Sequence, residues 1–436
     1  MRKKEKGQII LVFALALPLL ILFAAMAIDM GIIYSTKARL SNAVDAAVLT
    51  GVKNYSQGTA TAQALATDIF NANFGANPPT PTFTWCPSPD CPFTAVSLTA
   101  TATTTVNTLF MGYLPGFAQW QVSDTGTATR SNLVMSIILD RSGSMSTDGG
   151  GSALQTAVPI FINNFAQGSD YVAMISFASN ATLDVPETTQ FVTPITNKVN
   201  TMSFIGGTFG TGAGTNTSTC SATSCPSTNA PPLSMADYQN NSITFPAGQP
   251  EVKVVVYFTD GLMNTIQDTF NCTNTPPGPI TLNYGGYDLA YSSPAAFLPT
   301  DGTQLANIAT NGPVYYDTSY DICQGVTTFP SQQYGQQAFT QAAVTAEAQY
   351  RGLVTANAMR SESPVPTYIY VIGLGTGVNT AFLQNLANDP DGTAYNPNLP
   401  TGLFLAVPNC PSVTCTTDLT TAFQTIAAKI LLRLSQ

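Results

Sequence analysis

Three short stretches hold side chains that could do chemistry together. ILDRSGSMS (138–146) places Asp140, Ser142 and Ser144 at alternate positions directly after an apolar run. Gly206-Gly207-Thr208 follows a short helix-like stretch, and Phe258-Thr259-Asp260-Gly261 ends a second apolar run. Each alone reads as an ordinary polar turn. Together they supply two carboxylates and three hydroxyls, in a chain with no histidine and with no ligand cysteine nearby. Such a set of hard oxygen donors suits Mg²⁺, which takes octahedral oxygen ligands at about 2.1 Å and keeps several waters. Two carboxylates balance one dication without filling its coordination sphere. Asp148, in STDGGG, is nearby and reads as part of the loop rather than as a ligand.

These residues need a scaffold that brings them to one place. LVMSIILD (133–140), DYVAMISFAS (170–179), VKVVVYFTDG (252–261), TYIYVIGLG (367–375) and GLFLAV (402–407) read as buried strands. Between them lie helical stretches. LQTAVPIFINNFA is opened by the capping-box spacing of Ser152 and Gln155, and further helices are expected at 194–203, 336–360, 379–389 and 419–434. This alternation predicts an α/β fold with a doubly wound, mostly parallel sheet. Ligands of such sheets bind outside the carboxyl ends of the strands, where Asp140, Ser142, Ser144, Thr208 and Asp260 would collect. Two stretches, 209–250 and 268–335, break the alternation and read as long surface insertions.

Composition narrows the function. The chain has 436 residues, of which 44% are hydrophobic and only 9% charged, so it reads as a folded exported protein with long polar loops. Four of its 15 Lys and Arg lie in residues 1–6, beside Glu5, which leaves 11 cations against 23 carboxylates in the remainder. An acidic body of this kind repels nucleic acid. The absence of histidine excludes a Ser-His-Asp hydrolase. A phosphoryl-transfer reading of Asp140 lacks a helper acid or base, and Arg141 is the one cation beside it in sequence, so no enzyme is expected. The eight cysteines pair by spacing as Cys86 with Cys91, Cys220 with Cys225 and Cys410 with Cys415, leaving Cys272 and Cys323 as a wider pair. Zinc ligation is the alternative, but the pairs are wider than usual zinc spacing and no histidine supports them. Disulfides in an oxidising compartment are the expectation.

Residues 9–28 form an uncharged apolar stretch of the length that crosses a hydrocarbon core of about 30 Å. The cationic start should stay cytoplasmic and the body should lie outside the cytoplasm. Pro18 is a candidate kink, and Asp29 falls at the outer edge, where a carboxylate is expected to reach water. Ala25-Met26-Ala27 also offers a small-x-small site for signal cleavage, but the helical pattern continues past it, which favours a retained anchor. Residues 56–131, with runs such as AVSLTATATTTVNTLF, read as a small β-rich region. The expected layout is a basic start and transmembrane helix at 1–33, a membrane-proximal helix and β-rich region at 34–131, and the α/β domain at 132–436.

Two resemblances follow from these residues. The order Lys6-Gly7, Pro18, Asp29 and Asp45-Ala46-Ala47 resembles the N-terminal segment of TadG-like proteins of the tight-adherence (Flp) pilus assembly system, and the closing LTTAFQTIAAKILLRL is similar to the last helix of that family. Pseudopilin relatives that are cut after a comparable glycine carry Glu five residues later. Position 12 is Val here, so no processing at Gly7 is expected. The set Asp140, Ser142, Ser144, Thr208 and Asp260 resembles the metal-ion-dependent adhesion site (MIDAS) of von Willebrand factor A domains. That resemblance implies Mg²⁺, with Mn²⁺ or Ca²⁺ as substitutes. The two serines would bind the metal directly, Thr208 directly or through water, and both aspartates largely through water. A protein partner's carboxylate would complete the sphere. The resemblances imply a single-pass protein of the bacterial inner membrane that takes part in pilus assembly or adhesion. A structural tether or released pilus-associated subunit, acting through the two insertions, is the alternative.

Overall fold

The computed structural model describes residues 8–86, 96–113, 115–147, 149–177, 181–204, 231–246, 249–263, 265–266, 270–272, 280–282, 285–286, 328–338, 341–408, 410 and 414–434. The chain divides into two compact units, one spanning Met1–Arg130 with the last two residues and the other Ser131–Leu434.

The first unit is built on one long helix, α1 (Gln8–Lys53), which includes Pro18. Its early part is apolar and bare, with Phe13, Leu20 and Phe23 each more than half exposed. This is the one helix among the described residues that is long and apolar enough to cross a membrane. Its later part is buried. Leu40, Val44 and Val48 pack on α2 (Thr59–Phe74) and on an antiparallel sheet of β1 (Thr82–Cys86), β2 (Ser97–Asn107) and β3 (Gln119–Thr129). Gly126 of β3 has to be a glycine, since a Cβ there would lie 2.8 Å from Val44 Cγ1 and 2.9 Å from Asp45 Oδ1.

Helix α2 lies inside the stretch 56–131 that reads as β-rich, ahead of its three strands. Ala62, Ala66, Phe70 and Phe74 recur every fourth residue and are buried, which is a helical period. Asp29 also departs from expectation. It is fully buried rather than hydrated, and its carboxylate accepts hydrogen bonds from the backbone N–H groups of Leu109 (2.8 Å), Phe110 (2.9 Å) and Met111 (2.6 Å).

The second unit begins with β4 (Asn132–Asp140), the short α3 (Gly143–Thr147) and α4 (Gly150–Ile162). There follow β5 (Tyr171–Phe177), β6 (Ala181–Thr188), α5 (Val192–Asn200), α6 (Pro231–Ser242) and β7 (Glu251–Thr259). After three short antiparallel ribbons, Thr265–Ile266 with Gly285–Gly286, Phe270–Cys272 with Ile280–Leu282 and Thr328–Ser331 with Gly335–Ala338, come α7 (Gln341–Arg360), β8 (Thr367–Leu374), α8 (Thr380–Ala387), β9 (Leu403–Val407) and α9 (Cys415–Leu434).

The six strands are ordered β9-β8-β7-β4-β5-β6 and run parallel, except that the edge strand β6 pairs antiparallel with β5. The central strand β4 is buried on both faces, which explains its unbroken apolar run. Leu133, Ile137 and Leu139 point to a core with α4, α5 and α9, where the Phe161 and Phe423 rings meet at 5.2 Å. Ile138 points to the opposite core with α6, α7 and α8. This is the doubly wound α/β fold.

Three details differ from the sequence reading. Helix α4 starts at Gly150 rather than at the expected capping box, and the Ser152 hydroxyl donates to Gly149 O (3.0 Å) within the first turn. Helix α6 lies inside the stretch read as insertion 209–250. It packs on the sheet through a polar contact: Ser136 Oγ donates to Asn240 Oδ1 (2.7 Å), and Asn240 Nδ2 donates to Val254 O (3.0 Å). Helix α7 starts at Gln341, because Gly335–Ala338 belong to a ribbon.

Candidate metal centre

Strands β4 and β7 are neighbours, and the chain leaves β4 toward β5 on its other side. Their carboxyl ends therefore flank the point at which the strand order reverses, where open α/β sheets bind ligands. The register pairs Leu139 with Phe258, so Asp140 and Thr259 end side by side. The turn after β4 is held at Arg141, whose N–H donates to Phe177 O (2.8 Å) on β5.

Asp140 is 2% exposed. Its Oδ1 accepts the Ser142 N–H (2.8 Å), and its Oδ2 accepts the Thr259 hydroxyl (2.7 Å). Burial pushes its carboxyl above the usual carboxylate value, and the hydrogen bonds from Ser142 and Thr259 oppose this. Asp260 lies across from it and is also buried. Its Oδ1 accepts the Ser144 hydroxyl at 2.8 Å and the Ser142 hydroxyl at 3.4 Å, and the two serine oxygens are 3.0 Å apart. The fold thus brings Asp140, Ser142, Ser144 and Asp260 to one sheet edge. Thr208 and Asp148 lie outside the described residues.

The donor set fits a hard dication. Each serine hydroxyl has one proton to donate and lone pairs left to face a cation. Ser144 is exposed and Ser142 half-buried, so the hydroxyl side opens to solvent while the carboxylates sit behind it. Among the described residues no group of three or more His, Cys, Asp or Glu side chains could hold a metal ion. A cation held here would therefore need the hydroxyls as ligands beside the carboxylates.

Two neighbours escaped the sequence reading. Thr259 orients Asp140, and its own oxygen accepts the Gly261 N–H (3.2 Å). Its signal was its place between the end of an apolar strand and Asp260. Gly377, after β8, lies against the site's backbone, since a Cβ there would be 2.9 Å from Asp260 O. On the same edge, Gly149 adopts a positive φ of 73° and lies close to Cys410, which is bridged to Cys415 with a Cα–Cα distance of 5.3 Å. Cys86 is also disulfide-bonded. Cys91, Cys220, Cys225 and Cys323 lie outside the described residues, and Cys272 is described in its backbone alone.

Residues 7–63 match the family model described as "Tad: Putative Flp pilus-assembly TadE/G-like". The comparison with curated proteins gave no match. Similar solved structures include the vWF domain of the type V pili tip protein Mfa5 from Porphyromonas gingivalis, at 15% identity and TM-score 0.38, covering 71% of this chain and 98% of that one. Another is a von Willebrand factor type A protein from Catenulispora acidiphila, at 12% identity and TM-score 0.33, covering 82% of this chain and 52% of that one. A third is the pilus adhesin SpaC from Lactobacillus rhamnosus GG, at 11% identity and TM-score 0.39, covering 78% of this chain and 32% of that one. The chain therefore carries a TadE/G-like segment of the Flp pilus-assembly type at its N-terminus, followed by a six-stranded, doubly wound α/β unit.

Proposed function

We propose that this is a membrane-anchored, extracytoplasmic component of pilus assembly or adhesion that binds a protein partner through a Mg²⁺-dependent site. The observation that carries the reading is the convergence of the Ser142 and Ser144 hydroxyls on Asp260 Oδ1, with Asp140 beside them, at the carboxyl edge of β4 and β7. Ser142, Ser144 and Thr208 would hold the cation, and Asp140 and Asp260 would balance its charge and orient the hydroxyls. When bound, the metal supplies an electrophilic position that a partner's carboxylate can occupy. Thr259 keeps Asp140 aimed at the serine turn. The chain's acidic balance disfavours anionic partners at long range, so recognition is local to the site.

The anchor is the apolar part of α1, with the basic N-terminus in the cytoplasm and both units outside, in the inner membrane of a bacterium. The TadE/G-like match over 7–63 and the bare apolar helix support this placement. We assign no catalytic role to the site, because it offers no general acid or base beyond its own aspartates.

The test is a pull-down from native envelope with the full-length protein. Chelation of divalent cations and Asp140→Ala should each abolish partner capture, and Mg²⁺ should restore it for the unaltered protein alone. Capture that survives both treatments would overturn the metal-dependent reading.

A further inference from the structure

The tip of the β2–β3 hairpin has no role in the reading above. Residues 105–119, TVNTLFMGYLPGFAQ, carry no charge. Val106 and Met111 are buried, but four other side chains face outward: Leu109 is 60% exposed, Phe110 47%, Tyr113 89% and Phe117 42%, with Trp120 at 41% just beyond. A soluble hairpin tip is normally polar, and this tip packs none of these rings into the unit's core.

Its position along α1 supplies the reason. The backbone N–H groups of Leu109, Phe110 and Met111 all end on the Asp29 carboxylate. Two turns further along the helix, Lys37 donates to Ser123 O (2.7 Å) and pairs with Asp124. The hairpin therefore lies lengthwise on the helix with its tip at Asp29, the first charge after the apolar stretch 9–28. On the helix, Phe23, Met26, Ile28 and Met30 are exposed at and just before that level, and Tyr34 follows at 77% exposure. The outward rings of the hairpin continue the apolar surface of the helix where that surface ends.

We propose that the hairpin tip is an interfacial membrane anchor. Leu109, Phe110, Tyr113 and Phe117 insert into the headgroup–acyl boundary of the outer leaflet next to α1, with Trp120 and Tyr34 at its aqueous side. Aromatic side chains favour that boundary, because their apolar body and polar edge match its two sides. A carboxylate at the same depth is costly unless it is hydrogen-bonded. Three main-chain donors meet that cost and fix the depth of the tip against the helix. The second contact restricts the tilt of the body on its single helix. This proposal rests on the reading of α1 as a retained anchor.

The experiment places a single tryptophan in the full-length protein in phosphatidylcholine vesicles, with Trp85→Phe and Trp120→Phe as background. Tyr113→Trp reports the tip, Phe117→Trp is a second tip position, and Leu20→Trp reports the span. Both tip tryptophans should emit at shorter wavelength than a tryptophan in water, and bromine near the top of the lipid acyl chains should quench them. Bromine near the chain ends should quench Leu20→Trp. Tip tryptophans quenched by aqueous iodide and untouched by bromolipid overturn the proposal. Shielding from both quenchers also overturns it and assigns the tip to a protein surface. A Leu20→Trp that bromolipid fails to quench overturns the anchor itself, and the tip proposal with it.

Discussion

Asp29 in the first unit and the Asp140–Asp260 pair in the second are buried carboxylates at the ends of apolar runs, yet they are satisfied in opposite ways. Asp29 accepts three main-chain N–H groups, whose positions are fixed by the hairpin. Asp260 Oδ1 accepts two serine hydroxyls, which can rotate and still have lone pairs to offer. A carboxylate whose lone pairs are mostly taken by fixed backbone donors offers little to a ligand and acts as a structural clamp. Carboxylates backed by hydroxyls at an open sheet edge can reorganise around a cation. Burial alone does not distinguish the two; the kind of donor does.

The contrast can be broken by substitution. Asp29→Leu should have the largest effect, since it leaves the N–H groups of Leu109, Phe110 and Met111 without their acceptor. Hydrogen exchange at residues 109–111 in bilayers should rise sharply. Asp260→Asn should leave exchange in its own unit nearly unchanged, and equal losses for the two variants would erase the distinction.

Glu187 on β6 sharpens the comparison as a carboxyl that neither clamps nor binds. Burial pushes it up to about 9, and the Ser136 hydroxyl opposes this to a smaller extent. A carboxyl raised on folding contributes stability that is complete below its ordinary value near 4.5 and is lost as pH rises toward 9. Denaturation of the unaltered protein should therefore show stability falling across that window. Glu187→Gln should flatten the profile and gain up to about 3 kcal/mol at pH 7.

Thr259→Val removes the hydroxyl behind Asp140. It should cost about 1–2 kcal/mol in denaturant melts and weaken Mg²⁺ binding about 10- to 100-fold. Ser144→Ala should be the mildest for the fold, within about 0.5 kcal/mol because Ser144 is exposed, while still impairing metal binding.

Much of the second unit was legible in the sequence, because a doubly buried strand is written as a continuous apolar run. LVMSIILD and VKVVVYFT gave β4 and β7 within a residue or two, and with them the positions of Asp140 and Asp260. Elements held by polar contacts were not legible. Helix α6 buries only a short apolar patch, Leu233, Met235 and Ala236, and adds the polar Ser136–Asn240 contact, so its sequence PPLSMADYQNNS shows little apolar period. The edge strand β6, ATLDVPET, is diluted by Asp184 and Pro186, as an antiparallel edge allows. The capture of Asp29 joins residues 80 apart in sequence, and nothing local announces it.

The most direct test of the central claim is metal binding by the full-length protein, with Mn²⁺ as a paramagnetic reporter in place of Mg²⁺. One saturable site that Mg²⁺ displaces should appear in the unaltered protein and in Asp29→Asn. It should be lost in Asp140→Ala and in Asp260→Asn. Equal Mn²⁺ binding by all four proteins would contradict the assignment of the β4–β7 edge as the metal centre.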